Sequence, residues 1–94
     1  MYLYNVSIIV EETQHDTLLA WLQKEWLPSL DSETKFLKML NTPHEGHTYC
    51  VQLVAENEEE IGLFQQTKLS ELQHHLLVNH NEKAFLFDSV MQYL

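Results

Sequence analysis

The sequence has no arginine, a single cysteine, two glycines and two prolines among its 94 residues, and each shortage narrows what the chain can be. Without arginine there is no planar guanidinium fork to grip phosphate or carboxylate bidentately. With 14 acidic residues against five lysines, the formal net charge is −9, which argues against a nucleic-acid partner. The lone Cys50 can form no intramolecular disulfide, which suits a reducing compartment, and it rules out the paired-cysteine loop of a metallochaperone. Gly46 and Gly62 alone supply neither a phosphate-cradling loop nor a nucleotide fingerprint nor a nucleophile elbow. No apolar run approaches the roughly 18 residues of a membrane span, and the opening Met1-Tyr2-Leu3-Tyr4-Asn5 carries no basic n-region. A cytoplasmic protein with no membrane partner is therefore expected.

What is present is a hydrophobic share of 45%, enough for one small core and too little for two, so residues 1–94 are read as a single domain. A chain this short buries a modest share of its surface, and a second copy covering one face would add stability. Gly46 to Ala55 is the stretch around which the rest is organised. After its glycine it has no breaker, and its alternate side chains Tyr49, Val51, Leu53 and Ala55 make an apolar face opposite a mixed one of Thr48, Cys50, Gln52 and Val54.

The other elements follow in order. Tyr2 to Val10 alternates as a strand with a fully apolar face of Tyr2, Tyr4, Val6, Ile8 and Val10. Thr13 and Asp16 have capping-box spacing, and His15, Leu18, Leu19, Leu22 and Trp26 make a helical stripe that Pro28 ends. Lys35 to Asn41 reads as a short edge strand, joined to the next by a turn containing Pro43 and Gly46. Asn57 with Glu60 starts a second helix toward His80, and Glu58 and Glu59 sit in its first turn, where the helix dipole favours anions. Ala84 to Leu94 alternates again. Its larger residues, Phe85, Phe87, Met91 and Tyr93, are assigned to the core side.

Strand, helix, strand, strand, helix, strand is the split βαβ order. The fold class expected is α+β, a ferredoxin-like βαββαβ domain with a four-stranded antiparallel sheet, two helices on one face, and the first and third strands central. The other face would then carry Leu3, Asn5, Ser7, Ile9, Thr48, Cys50, Gln52, Val54, Leu86, Asp88, Val90 and Gln92, too apolar for simple solvent surface. A homodimer through this open face is expected. The same face could hold a small-molecule ligand, with Asn5, Ser7, Gln52 and Asp88 as its polar groups.

Catalytic candidates are Asp88, as an acid inside an apolar strand, and His47 and His15. The six histidines lack partners at metal-site spacing, so no metal and no cofactor is expected. Lys68, within the apolar stripe of the second helix, reads as a stem covering apolar surface with its ammonium in water.

Tyr4–Val10, Thr48–Gln52 and Phe85–Val90 together resemble a bacterial family of short proteins of unknown function, across nearly the whole chain. The resemblance implies the dimeric α/β barrel type of ferredoxin-like protein, paired sheets and a cytoplasmic location, with no established activity. The wider barrel group includes small monooxygenases and isomerases that use a cleft beside the sheet. No defining catalytic motif of those enzymes is present here. Two functions therefore stand side by side: a homodimeric small-molecule-binding or structural domain, and a small cofactor-independent enzyme with a cleft on the open sheet face. A regulatory module in the manner of amino-acid-sensing domains is a third, with sites at the dimer edge.

Overall fold

The computed structural model describes all residues, 1–94. Strand β1 is Tyr2–Val10, helix α1 is Glu12–Trp21, β2 is Lys35–Lys38, β3 is His47–Ala55, α2 is Glu58–Phe64, α3 is Ser70–Asn79 and β4 is Ala84–Gln92. The four strands form one antiparallel sheet in the order β2-β3-β1-β4, so the first and third strands are central. That is the ferredoxin-like arrangement read from the element order.

Alternation decides the core. Tyr4, Val6 and Ile8 on β1 and Val51 on β3 have no exposed surface, and they pack beneath Leu18, Leu22, Trp26, Leu69, Leu72 and Leu76 of the helical layer. Directly opposed residues share a face, so Val6 beside Val51 and Ile8 beside Tyr49 continue one apolar stripe across the central pair. Gly46 enters β3 with φ +90, and a Cβ there would stand 2.5 Å from the carbonyl oxygen of Val10. Only glycine meets both conditions without strain.

Both helical segments widen part-way along their length. α1 passes into a π-helical turn, Leu22–Trp26, and a 3-10 turn, Leu27–Ser29, that carries Pro28; α2 and α3 are joined through a second π-helical turn, Gln65–Leu69. The second of these turns supplies the Lys68 carbonyl to the Trp26 indole N–H at 2.9 Å, which ties the two helical segments together. Asn57 caps α2 as expected, its Oδ1 accepting from the Glu60 amide at 3.0 Å, while the Glu60 carboxylate accepts from the Glu56 amide at 3.1 Å.

Three expectations change. The Thr13 capping box does not form: the N-cap is Glu11, two residues earlier and without a side-chain cap, so Thr13 lies inside α1. β2 is only four residues long, ending at Lys38 where Asn41 was expected. The largest correction concerns β4. Its register sets Val10 against Ala84, Ile8 against Leu86 and Val6 against Asp88, so Leu86, Asp88, Val90 and Gln92 lie on the helix side and Phe85, Phe87 and Met91 on the open face. This reverses the sequence assignment. Both alternate sets of β4 are apolar, so period two cannot choose between them. The Glu11 amide bonding to the Lys83 carbonyl at 2.9 Å sets where the strand begins, and the small Ala84 takes the buried place at that end of the core.

Candidate functional site

Four side-chain constellations stand out. On the open face, Gln52 Nε2 donates to Asn5 Oδ1 at 3.1 Å, Asn5 Nδ2 donates to Ser7 Oγ at 3.1 Å, and Ser7 Oγ lies 3.7 Å from Cys50 Sγ. Three of the four expected binding residues are therefore together. They satisfy one another in a ladder across the central strands, which suits burial in an interface better than capture of a polar ligand.

Asp88 is not among them. It sits on the helix side of β4, exposed, where its Oδ2 accepts from the Tyr4 hydroxyl at 2.6 Å and from Gln65 Nε2 at 3.4 Å. The buried-base role anticipated for it therefore lacks its premise. The partner is the group affected. Burial, then the Asp88 hydrogen bond, push the Tyr4 hydroxyl well above the ordinary phenol range.

His15 and His47 do come together, at the junction of α1 and β3, with rings stacked at 3.8 Å between centroids. Asp16 can only accept, so His15 Nδ1–H donates to its Oδ1 at 2.9 Å, leaving Nε2 to accept from the Tyr49 hydroxyl at 2.6 Å. His47 Nε2–H donates to Glu12. The order Asp16–His15–Tyr49 copies a hydrolytic relay in outline, with a phenol at the end. Burial and then the Asp16 charge raise the pKa of Tyr49, which disfavours its ionisation, and neither His15 nor Tyr49 lines the main cleft. The network is an anchor between α1 and the sheet. His15 is thus held by hydrogen bonds at the boundary between α1 and the sheet.

The fourth constellation is the cleft. β2 pairs with β3 only from Lys35 opposite Gln52 to Lys38 opposite Tyr49, so the outer edge of Leu53–Ala55 has no neighbouring strand. The bare edge, the Ser29–Thr34 segment and α2 enclose a cavity of about 930 Å³. Leu30, Leu53, Leu63 and Phe64 form much of its apolar wall, with Lys35 and Lys68 among its polar groups. That volume falls in the range of small-molecule sites. Of the residues singled out from the sequence for binding or catalysis, Gln52 alone lines it. The signal for the rest was the mismatch between a short lysine-flanked strand and the long strand beside it, which leaves an edge uncovered.

A family model described as "Domain of unknown function (DUF4286)" matches residues 1–94. The chain belongs to the DUF4286 family. No curated protein matches this DUF4286 chain in sequence. Among solved structures it is similar to a dabb family protein with a ferredoxin-like fold from Mesorhizobium loti, at 6% identity and a TM-score of 0.58, covering 100% of this chain and 99% of that one. It is also similar to a mutant of MhuD with two manganese protoporphyrin IX bound per active site, at 12% identity and a TM-score of 0.61, covering 100% and 95%. A de novo designed protein, Foldit4, is similar at 11% identity and a TM-score of 0.60, covering 99% and 98%. At such identities the likeness is one of fold. It agrees with the ferredoxin-like topology traced strand by strand in the DUF4286 chain.

Proposed function

We propose that this chain is a single ferredoxin-like domain that forms a homodimer through its open sheet face and takes a small molecule into the cleft beside β3. The observation that carries the reading is the β4 register, which adds Phe85, Phe87 and Met91, at 50%, 61% and 46% exposure, to a face that already holds Leu37, Met39 and Val54. Isolated exposed apolar residues need no explanation, but a contiguous sheet of them does.

A second copy is the occupant that fits. Three strands of roughly 30 Å and the four-residue β2 of roughly 13 Å, at about 4.8 Å spacing, give a face of about 500 Å² in plan, and side-chain relief brings this toward the ~800 Å² per partner of a standard interface. Charge agrees. None of the 14 acidic residues has a strand position on this face, and Lys35 is its one charged strand residue, so two copies of a chain with net charge −9 meet there without carboxylates opposed. The polar residues at its centre are already bonded to one another. The dabb and MhuD likenesses support the fold on which such a pairing rests.

The porphyrin of the MhuD structure is not carried over to this chain. No histidine, cysteine or methionine lines the cleft, and its tyrosine, Tyr93, is half exposed, so a metalloporphyrin would lack a buried axial donor. The cleft, with Leu30, Leu53, Leu63 and Phe64 in its wall, suits an ordinary organic ligand.

Sedimentation equilibrium tests the assembly. The wild-type chain should run as a dimer, and Phe87→Glu should raise the dissociation constant by at least about thirtyfold, the loss of a ~2 kcal/mol interface contact. A wild-type monomer at every concentration, or a Phe87→Glu dimer of unchanged strength, refutes the pairing.

A further inference from the structure

The cleft is not confined to one side of the sheet. Leu53 and Phe64 belong to the helix side, whereas Leu3, Lys35, Gln52 and Val54 also line it and hold open-face positions in the strand register. One wall of the cavity is therefore made from the surface assigned to the second copy. In a single chain that wall stands open to water, with Val54 54% exposed.

The charges of the cleft are unequal in availability. Asp31 Oδ1 accepts from the Glu33 amide at 2.8 Å and Glu60 Oε2 from the Glu56 amide at 3.1 Å, so one oxygen of each of two of its carboxylates is held by a backbone donor. The third, Glu33, is exposed. Lys35 has no carboxylate within ion-pair distance, and Lys68 has only Glu71 at 3.8 Å. Two of the five lysines of a strongly acidic chain thus line one cavity of mixed polar and apolar walls, with donor capacity to spare.

From this juxtaposition we infer that the cleft binds an amphipathic monocarboxylate, its apolar body between Leu53 and Phe64 and its head on Lys35 and Lys68, and that the partner subunit closes the site. The inference rests on the face-to-face dimer proposed above and adds the ligand class and its regulation. Linkage follows from the shared wall. A ligand that binds the dimer more tightly than the monomer tightens the dimer by the same coupling factor.

Decanoate, below its micellar concentration, is a suitable probe. Trp26, whose indole bonds to the Lys68 carbonyl beside the cleft, gives an intrinsic fluorescence readout. Decanoate should titrate the wild-type dimer to saturation and lower its dimer dissociation constant in sedimentation equilibrium. It should bind at least about tenfold more weakly to Phe87→Glu, and to wild-type protein diluted below its dimer dissociation constant, which serves if the variant does not fold. Lys35→Gln and Lys68→Gln should each weaken binding about tenfold, as loss of a charge-assisted hydrogen bond requires, and Lys68→Gln, which lies off the open face, should leave the dimer intact. Decyltrimethylammonium, of the same length and opposite charge, should not compete. A wild-type dimer that ignores decanoate, binds it equally as monomer, keeps its affinity in the lysine variants or prefers the cation overturns the inference while the dimer stands. A wild-type monomer instead removes the reading beneath it.

Discussion

The hydroxyl of fully buried Tyr4 donates to the exposed carboxylate of Asp88 at 2.6 Å, across the β1–β4 pair. The bond holds an edge strand to the central one from the helix side. Because the folded state keeps Tyr4 protonated above its ordinary range, the stability this group contributes is present below about pH 10 and is lost as the pH rises beyond it, where the unfolded chain ionises first. Urea denaturation between pH 7 and 11 should show that decline. Tyr4→Phe should flatten it, leaving the smaller part that comes from Tyr49, whose pKa is also raised. Asp88→Asn should cost about 1 kcal/mol at neutral pH and keep most of the decline, since burial is its first cause. An unchanged alkaline slope in Tyr4→Phe would contradict the assignment.

The acid side is governed by a different pair. His80 is buried, its Nδ1–H donating to Gln14 Oε1 at 2.8 Å and its Nε2 without a partner, while His75 stacks on Trp21 at 3.6 Å. Burial lowers the pKa of both, and the neighbouring His80 and His74 lower that of His75 further. Below about pH 6.5 the unfolded chain takes up protons that the folded chain refuses, so stability should fall as the pH drops through that value. His80→Gln should make this decline shallower in thermal melts at pH 7 and pH 5. A steeper decline in the variant would place the acid sensitivity elsewhere.

Gly46→Ala should destabilise the chain by about 2 kcal/mol or more, lowering Tm by roughly 10 °C. Its positive φ and the 2.5 Å approach to the Val10 carbonyl oxygen act together. Gly62→Ala is the control, because a Cβ there meets nothing within 4 Å and an interior helical alanine is preferred. Equal melting temperatures for the two variants would remove the argument.

Thr48→Val should leave stability unchanged or raise it by about 1 kcal/mol. The Thr48 hydroxyl is buried without a hydrogen-bond partner, and valine keeps its shape and strand preference. A loss of more than about 1 kcal/mol in urea denaturation would mean the hydroxyl has a partner.

The sequence by itself determined the order of elements, the central place of β1 and β3, and the cap at Asn57, because each rests on local chemistry. Tyr4, Val6 and Ile8 repeat every second residue against polar neighbours, so one face of β1 had to turn inward, and an asparagine three residues before Glu60 satisfies an orphan amide wherever the helix docks. The tertiary structure alone decided which face β4 presents and where the cleft lies. Phe85 and Leu86 are both apolar, and only the pairing of Ala84 with Val10 settles which of them faces solvent. Lys35 and Lys68 are 33 positions apart in sequence, and what joins them is an edge of β3 that a four-residue neighbour leaves bare. Alternation is a property of one strand, whereas register and strand-length mismatch are properties of two.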